Sequence, residues 1–273
     1  MYRLIIHILI SLLFFNPSLV FAAQLALVID DFGYRQHNEE QIIKLSTDIT
    51  VAVLPHSPNA KRIANMAHEQ GNDVIIHLPM APMGKQPLEK DTLFPTMSET
   101  EINRIVNNAI ERVPHAIGVN NHMGSLMTSN LNGMQYVMKA LSPHSMFFLD
   151  SKTIGKTAVK TAASAYNIPV VVRDVFLDDQ QNEHAINQQF ELAIQVARKK
   201  GVAIAIGHPH PQTLNVLKNK LAQLPSDITL IKVSELVTPQ PEPIKPKATL
   251  KEIMDRYKQR CDQVWHFYHT ENK

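Results

Sequence analysis

The sequence predicts an α/β protein in which about seven to eight parallel strands form an irregular (β/α) barrel. Short apolar runs rich in β-branched residues alternate with amphipathic segments between Gln24 and about Val237. The runs lack polar alternation, which is typical of parallel strands that are buried on both faces. The length of this region, roughly 210 residues, suits a single barrel domain.

Eight predicted strands share this apolar character, and helical patterns separate them. The strands cover residues 25–29, 50–54, 73–77, 116–120, 146–149, 169–172, 202–206 and 229–231. Gly71 and Gly201 each follow a helical pattern, as expected at the C-terminal end of a helix. Since no Gly-rich phosphate loop follows the first strand, the pattern disfavours an open nucleotide-binding sheet.

The first 22 residues predict a signal peptide. Arg3 gives a short positive start, residues 4–15 are apolar, and the segment ends in small residues that suit a signal peptidase. The apolar run is shorter than the roughly 20 residues that span a bilayer. We therefore expect export to the periplasm and no stable membrane insertion after signal removal, with an uncleaved N-terminal anchor as the alternative.

The barrel domain is predicted to cover residues 23–237, and the character of the chain changes after it. Residues 238–247 are rich in proline, which favours an extended spacer, and a charged helical pattern follows them. We interpret residues 238–273 as a linker and tail. The tail either packs loosely on the barrel or contacts a partner in the envelope.

Composition excludes some classes of partner. The formal net charge is +2, and clusters of Lys and Arg with interleaved aromatic residues are missing from the sequence, so nucleic acid is not expected as a partner. Cys261 is the single cysteine, and an internal disulfide is therefore impossible.

The strongest functional signal is that polar residues follow the predicted strands. They are Asp30-Asp31, Pro55-His56, His77, residues 120–125, Asp150-Ser151, Arg173-Asp174 and residues 207–210. Because the C-terminal ends of all barrel strands converge on one mouth, we expect these side chains to meet there and to form a site.

Three of these segments predict a metal centre. The imidazoles of His77 and His122, together with one carboxylate of Asp30 and Asp31, are a familiar ligand set for Zn²⁺ or a related divalent ion. Neighbouring side chains diverge, so one acid can bind metal while the other serves as a base. Plainer interpretations are helix capping by the two acids and a satisfied core position for His77.

The remaining strand-end residues are predicted to support catalysis. His208 follows a very apolar strand and is a catalytic candidate, with a core or capping role as the alternative. Asp150 and the pair Arg173-Asp174 are candidates for a buried charge network that orients the catalytic groups. Substrate binding is assigned to Asn121, Ser125 and His56. Helix starts are assigned to Asp178-Asp179 and to His210.

At this point the sequence resembles a known family. The segments that carry the resemblance are residues 28–33, 76–80, 118–125, 148–151 and 205–209. Together they resemble the divergent polysaccharide deacetylases, an offshoot of the metal-dependent polysaccharide deacetylases. The resemblance covers about residues 24–237 and implies an irregular (β/α) barrel of about seven strands.

The resemblance also implies residue roles. The family begins with an Asp-Asp pair in which the first acid is the base and the second binds metal, which assigns these roles to Asp30 and Asp31. A late histidine after an apolar strand matches His208, the candidate general acid. His77 matches the first histidine of a His-Ser/Thr-x-x-His segment. The second histidine has no counterpart at 78–81, so His122 is expected to replace it.

The sequence therefore predicts an exported hydrolase that uses a divalent metal, expected to be Zn²⁺, to deacetylate an N-acetylated envelope glycan. One alternative is a non-catalytic glycan-binding or scaffolding protein that retains the barrel. A second is another metal hydrolase built on His208 and His210, whose spacing resembles that of amidohydrolase-like sites. A third is a glycosidase in which Asp30 pairs with Asp150 or Asp174.

Overall fold

A computed structural model describes residues 22–237 of the protein. The predicted tail at 238–273 and all but the last residue of the predicted signal peptide lie outside the described residues, so both remain predictions. Within 22–237, none of the helices has the length and apolar character needed to cross a membrane.

Nine strands and seven α-helices alternate along the described chain. The strands are β1 (Ala23–Phe32), β2 (Ile49–Val53), β3 (Val74–Met80), β4 (Ala116–Met123), β5 (Phe147–Asp150), β6 (Val170–Val172), β7 (Val175–Phe176), β8 (Val202–Gly207) and β9 (Ile228–Ile231). The helices are α1 (Gln36–Ile43), α2 (Ala60–Gln70), α3 (Glu99–Arg112), α4 (Leu131–Leu141), α5 (Val159–Ser164), α6 (Glu183–Lys200) and α7 (Pro211–Ala222), and a 3₁₀ turn follows at Val233–Leu236.

All strand pairs in the sheet are parallel, in the order β6-β5-β4-β3-β2-β1-β8-β7, and β9 pairs with the first half of β1. The two strands at the ends of this order, β6 and β7, are consecutive in the chain. Between them, the Arg173 amide donates to Asp150 O on β5 and the Asp174 amide donates to Ile204 O on β8. The sheet is thus curled into an irregular (β/α) barrel, which confirms the predicted fold.

The strands form because their side chains are buried on both faces. Every residue of β2 and β3 is buried. One apolar cluster, including Val28, Ile75, Leu149 and Ile206, fills the inside of the barrel, and a larger one lies between the sheet and the helices. Since successive strand side chains point to opposite faces, every second residue points into the barrel.

Helix ends are defined by local capping. Ser98 accepts a hydrogen bond from the Glu101 amide at the start of α3, and Asn182 does the same for the Ala185 amide at the start of α6. Gly71 and Gly201 adopt left-handed backbone conformations after α2 and α6, with φ of 97° and 86°. The two glycines confirm the predicted C-terminal ends of α2 and α6.

Candidate active site

The C-terminal ends of β1, β3 and β4 bring Asp31, His77 and His122 together at the mouth of the barrel. Asp31 Oδ1 lies 3.2 Å from His77 Nε2 and 3.0 Å from His122 Nδ1. The two imidazole nitrogens are 3.1 Å apart. The three atoms therefore form a nearly equilateral triangle.

The backbone at Asp31 is strained. Its φ is 57°, in the left-handed region, and the pairing of β1 with β2 shifts register between Ile29 and Phe32. Such strain in a non-glycine residue costs free energy and is found preferentially at functional sites. Asp31 Oδ1 is also buried without a hydrogen-bond partner among the described residues. The strained backbone thus directs an unsatisfied carboxylate oxygen at two imidazoles.

The buried side-chain amide of Asn120 determines which nitrogen of His77 is unprotonated and directs its lone pair at the triangle. The Asn120 Nδ2 group donates to Asp30 Oδ1 at 2.8 Å. The Asn120 Oδ1 atom therefore accepts from His77 Nδ1, at 2.7 Å. In the neutral ring Nδ1 carries the proton, so His77 Nε2 is free to coordinate a cation.

The triangle fits a divalent cation. Ligand atoms about 2.1 Å from a common ion lie roughly 3.0–3.4 Å from one another, depending on the coordination geometry. The observed separations of 3.0, 3.1 and 3.2 Å match this range. Two imidazoles and a carboxylate are also the donor types that Zn²⁺ prefers. Asp31, His77 and His122 could thus hold the metal, and their role as its ligands remains a prediction.

The two adjacent acids differ in their electrostatic environments. Burial raises the pKa of Asp30, which is 3% exposed. Burial also acts on Asp31, but the adjacent imidazoles of His122 and His77 outweigh it and hold the pKa of that carboxyl well below its usual range. Such a divergence separates an acid that can hold a proton from one that stays ionised. Asp30 therefore suits a base, and Asp31 suits a ligand.

His208 faces the same cluster from the end of β8. Its Nδ1 atom lies 2.9 Å from Asp178 Oδ1, and its Nε2 atom lies 3.9 Å from Asp31 Oδ2. Burial lowers the pKa of His208, but the ion pair with Asp178 outweighs burial and raises this pKa to about 9. Asp178 is itself held by Thr213 Oγ1 at 2.7 Å. The imidazole is therefore oriented, and its protonated form is stabilised.

Asp178, which holds the candidate residue His208, was not predicted as part of the site. It was predicted to start the helix at 182, and this prediction is wrong because Asn182 caps that helix. The strand ending at 172 resumes as β7 at Val175–Phe176, so Asp178 follows a strand end like the other site residues. Recognition of this short strand in the sequence would have identified it.

Two predicted catalytic acids lie elsewhere. Asp150 accepts hydrogen bonds from the Lys152 amide at 2.8 Å and from Thr157 Oγ1 at 2.6 Å, which shapes the turn after β5. Asp174 pairs with Lys200 Nζ at 2.6 Å. Neither carboxylate lines the cavity beside the triangle. The structure therefore does not bring Asp150 or Asp174 to the catalytic cluster.

One of the three predicted substrate-binding residues lines the cavity, and the other two lie outside it. Asn121 lines the cavity, and its Oδ1 atom accepts from the Ser151 amide at 2.9 Å. Ser125 instead accepts from the Met83 amide, and His56 Nε2 pairs with Asp91 at 2.9 Å. Only Asn121 of the three residues is placed where it can contact a substrate in the cavity.

The cavity at the mouth measures about 410 Å³. It holds four of the predicted site residues, Asp30, His77, His122 and His208, beside Asn121. The cavity is also lined by Arg173, and by residues that were not predicted to be catalytic, metal-binding or substrate-binding: Met123, Ser151, Lys152, Thr153, Phe176, Asp179 and Ile206. A cavity of this size and polarity suits a sugar-sized ligand.

Similarity to known proteins identifies the family of the chain. The model of the divergent polysaccharide deacetylase family matches residues 27–237. The uncharacterized protein YibQ of Escherichia coli K12 is 56% identical over 220 residues, which cover 81% of this chain and 69% of the relative. An uncharacterized protein of Haemophilus influenzae is 42% identical over 214 residues, covering 78% of this chain and 76% of its own.

Solved structures share the fold. The uncharacterized protein ATU2773 from Agrobacterium tumefaciens C58 superposes with a TM-score of 0.74 at 20% identity, covering 79% of this chain and 89% of its own. A structure described as T48 deacetylase with substrate has a TM-score of 0.51 at 13% identity and covers 79% and 90% of the two chains. By its sequence match over most of the barrel, the chain belongs to the divergent polysaccharide deacetylase family.

Proposed function

We propose that the protein is an exported, metal-dependent hydrolase that removes acetyl groups from an N-acetylated glycan of the cell envelope. The observation that carries this proposal is the triangle of Asp31 Oδ1, His77 Nε2 and His122 Nδ1, with Asp30 and His208 beside it in one cavity. Family membership supports deacetylation as the reaction. Export rests on residues 1–22 and the periplasmic location remains part of the proposal.

A divalent cation such as Zn²⁺, held by Asp31, His77 and His122, would supply Lewis acidity toward the acetyl carbonyl and the attacking water. Asp30 accepts a proton from the attacking water as the oxygen of that water attacks the acetyl carbon. The hydrogen bond from Asn120 fixes the Asp30 carboxylate in the cavity. The raised pKa of Asp30 makes it a stronger base than an exposed carboxylate.

His208 donates the proton that the leaving amine needs. Because Asp178 binds Nδ1, the Nε2–H group is the one that faces the cavity side of the ring, 3.9 Å from Asp31. Cleavage of the acetyl C–N bond then yields acetate and a free amine. A group protonated near neutrality suits this step.

The geometry supports the three alternative functions less well than it supports the deacetylase. The non-catalytic alternative was favoured by the missing second histidine and by the partner-like tail. His122 supplies a third donor atom from β4, whereas the tail lies outside the described residues. A glycosidase pair of Asp30 with Asp150 or Asp174 is not assembled in the cavity. The other metal-hydrolase alternative keeps a possible ligand group, because Asp178, His208 and His210 also offer donor atoms within 4.8 Å of one another. Arg35 Nη1 lies 2.6 Å from His210 Nδ1 and so occupies one nitrogen of that histidine. These observations favour the deacetylase.

The first test is metal content. The full-length chain is exposed to Zn²⁺, desalted and analysed by elemental mass spectrometry, and acetate release is then measured on chitooligosaccharides and peptidoglycan fragments. We expect about one equivalent of metal in the parent and in the control His184→Ala, whose side chain is exposed on α6, and a loss of metal in His77→Ala. A folded parent that retains no metal contradicts the proposal.

A further inference from the structure

Three polar residues beside the candidate active site have no part in the proposed chemistry. Ser151, Lys152 and Arg173 line the same cavity, at the ends of β5 and β6. We call them the β5–β6 subsite. Their unused hydrogen-bonding groups indicate a binding site for a polar group of a ligand.

Ser151 carries the first indication. It is 6% exposed, and its Oγ atom has no hydrogen-bond partner among the described residues. Its backbone is fixed, because its amide donates to Asn121 Oδ1 and its carbonyl accepts from Arg173 Nε. A buried hydroxyl without a partner is costly and calls for an explanation. A polar substituent of the substrate would satisfy it.

Arg173 carries the second indication. Nε donates to Ser151 O at 2.6 Å and Nη2 donates to Lys152 O at 2.9 Å, so the guanidinium is held rigidly by neutral carbonyls. It lies over the Phe176 ring at 5.2 Å and forms no ion pair with any carboxylate of residues 22–237. Two of its five N–H donors are used, and the Nη1 group remains available. Asp30, Asp150, Asp174 and Asp179 act on Arg173 through space without contacting the guanidinium, so its Nη1 group can still bind an anionic ligand directly.

Lys152 adds a second positive charge. Its backbone is in the left-handed region, with φ of 50°, and its exposed side chain makes no ion pair within the described chain. Asp179 also lines the cavity, but it is exposed and does not pair with Lys152 or Arg173. The β5–β6 subsite therefore carries two positive charges, of which that of Arg173 is held in place by the Ser151 and Lys152 carbonyls.

We propose that the β5–β6 subsite binds a carboxylate of the substrate, so that the preferred glycan carries a carboxylate on or beside the acetamido sugar. This rests on the proposed deacetylase function. Phe176 contacts the Arg173 guanidinium at 5.2 Å and the His208 ring at 5.4 Å, so one side chain separates the β5–β6 subsite from the candidate general acid. A planar guanidinium and a hydroxyl together match the acceptors of a carboxylate.

The test compares one glycan in two charge states. A peptidoglycan tetrasaccharide that contains muramic acid is used as such and after conversion of its carboxylates to methylamides. Binding to the metal-free full-length chain is measured by calorimetry, and acetate release is measured with Zn²⁺. We expect the carboxylate form to bind about 10- to 100-fold more tightly. Ser151→Ala, Lys152→Asn and Arg173→Lys should each reduce that preference.

Ser164→Ala and Lys160→Asn are matched controls, because both side chains are exposed on α5, outside the cavity. They should leave the preference unchanged. Ser151→Ala is nearly isosteric, so it separates lost recognition from lost folding. Equal binding of the two glycan forms by the parent would overturn the carboxylate subsite, even if acetate is released from both. Binding that prefers the carboxylate, without acetate release, would support the subsite and overturn the deacetylase.

Discussion

Asp178 holds His208 by two contacts: Oδ1 lies 2.9 Å from the imidazole Nδ1, and Oδ2 accepts the His208 backbone amide at 2.6 Å. One carboxylate thus fixes both the ring and the strand end that carries it. Thr213 Oγ1 donates to the same carboxylate from α7. The orientation of the candidate general acid therefore depends on contacts between the segment after β7, the end of β8 and the helix α7.

Replacing Asp178 should impair catalysis without affecting metal binding. Asp178→Asn keeps the size of the side chain but removes the charge that stabilises protonated His208, so we expect kcat/KM for acetate release to fall about 100-fold or more. Metal content, measured by elemental mass spectrometry, should stay at the parent level. Asp227→Asn, an exposed change on the loop before β9, is the control. Loss of metal in Asp178→Asn would contradict the assigned role.

The sequence was sufficient to predict which strand ends carry the site, because parallel strands of a barrel open at one mouth. It was not sufficient to predict which side chains enter the cavity. Arg173 lines the cavity, whereas its neighbour Asp174 pairs with Lys200, because consecutive residues of the segment between β6 and β7 face opposite sides. The sequence placed both residues at the mouth and named Asp174 as the catalytic candidate, whereas only Arg173 lines the cavity.

The same alternation explains the error at Asp150. Phe147 and Leu149 belong to the cluster inside the barrel, so Asp150 points away from it and Ser151 points inward. Asp31 is the exception, because its left-handed backbone and the register shift in β1 let it join the site beside Asp30. Local backbone strain of this kind has no signature in a single sequence.

Substitutions of Asp30 and Asp31 should differ in their effects on metal content. Asp30→Asn preserves the shape of the side chain but cannot accept a proton, so turnover should fall about 10²- to 10⁴-fold while about one metal equivalent is retained. Asp31→Ala should lose the metal. Both variants are analysed by elemental mass spectrometry and acetate release. If Asp30→Asn loses metal as Asp31→Ala does, the two roles are not distinct.

Asn120 should act on metal affinity through His77. Its side chain is fully buried and accepts from His77 Nδ1, which leaves Nε2 unprotonated toward the triangle. Asn120→Ala removes that contact, and we expect metal affinity to fall about 10- to 100-fold in competition with a chelator. Asn103→Ala, an exposed change on α3, should leave the affinity unchanged. Unaltered affinity in a folded Asn120→Ala protein would show that the amide does not orient the ligand.

Glu39 provides a prediction about stability. It is fully buried on α1, and its Oε1 atom accepts from the amides of Tyr34 and Arg35, while Oε2 has no hydrogen-bond partner in residues 22–237. Glu39→Ala would leave both amides unsatisfied, so the free energy of unfolding should fall by about 1–3 kcal/mol. Glu39→Gln keeps an acceptor oxygen and should avoid that loss. Urea unfolding of the two variants measures the difference.

The comparison of Glu39→Gln with the parent should depend on pH. Burial raises the pKa of Glu39 in the folded state, so between its unfolded pKa of about 4.3 and the raised value the folded state binds more protons than the unfolded state. The free energy of unfolding of the parent therefore falls relative to that of Glu39→Gln as pH rises through that window. Below the window, the difference between the two proteins does not change with pH. Urea midpoints measured for both proteins from pH 4 to pH 8 test this. A constant difference across the range would mean that Glu39 has the same pKa in both states.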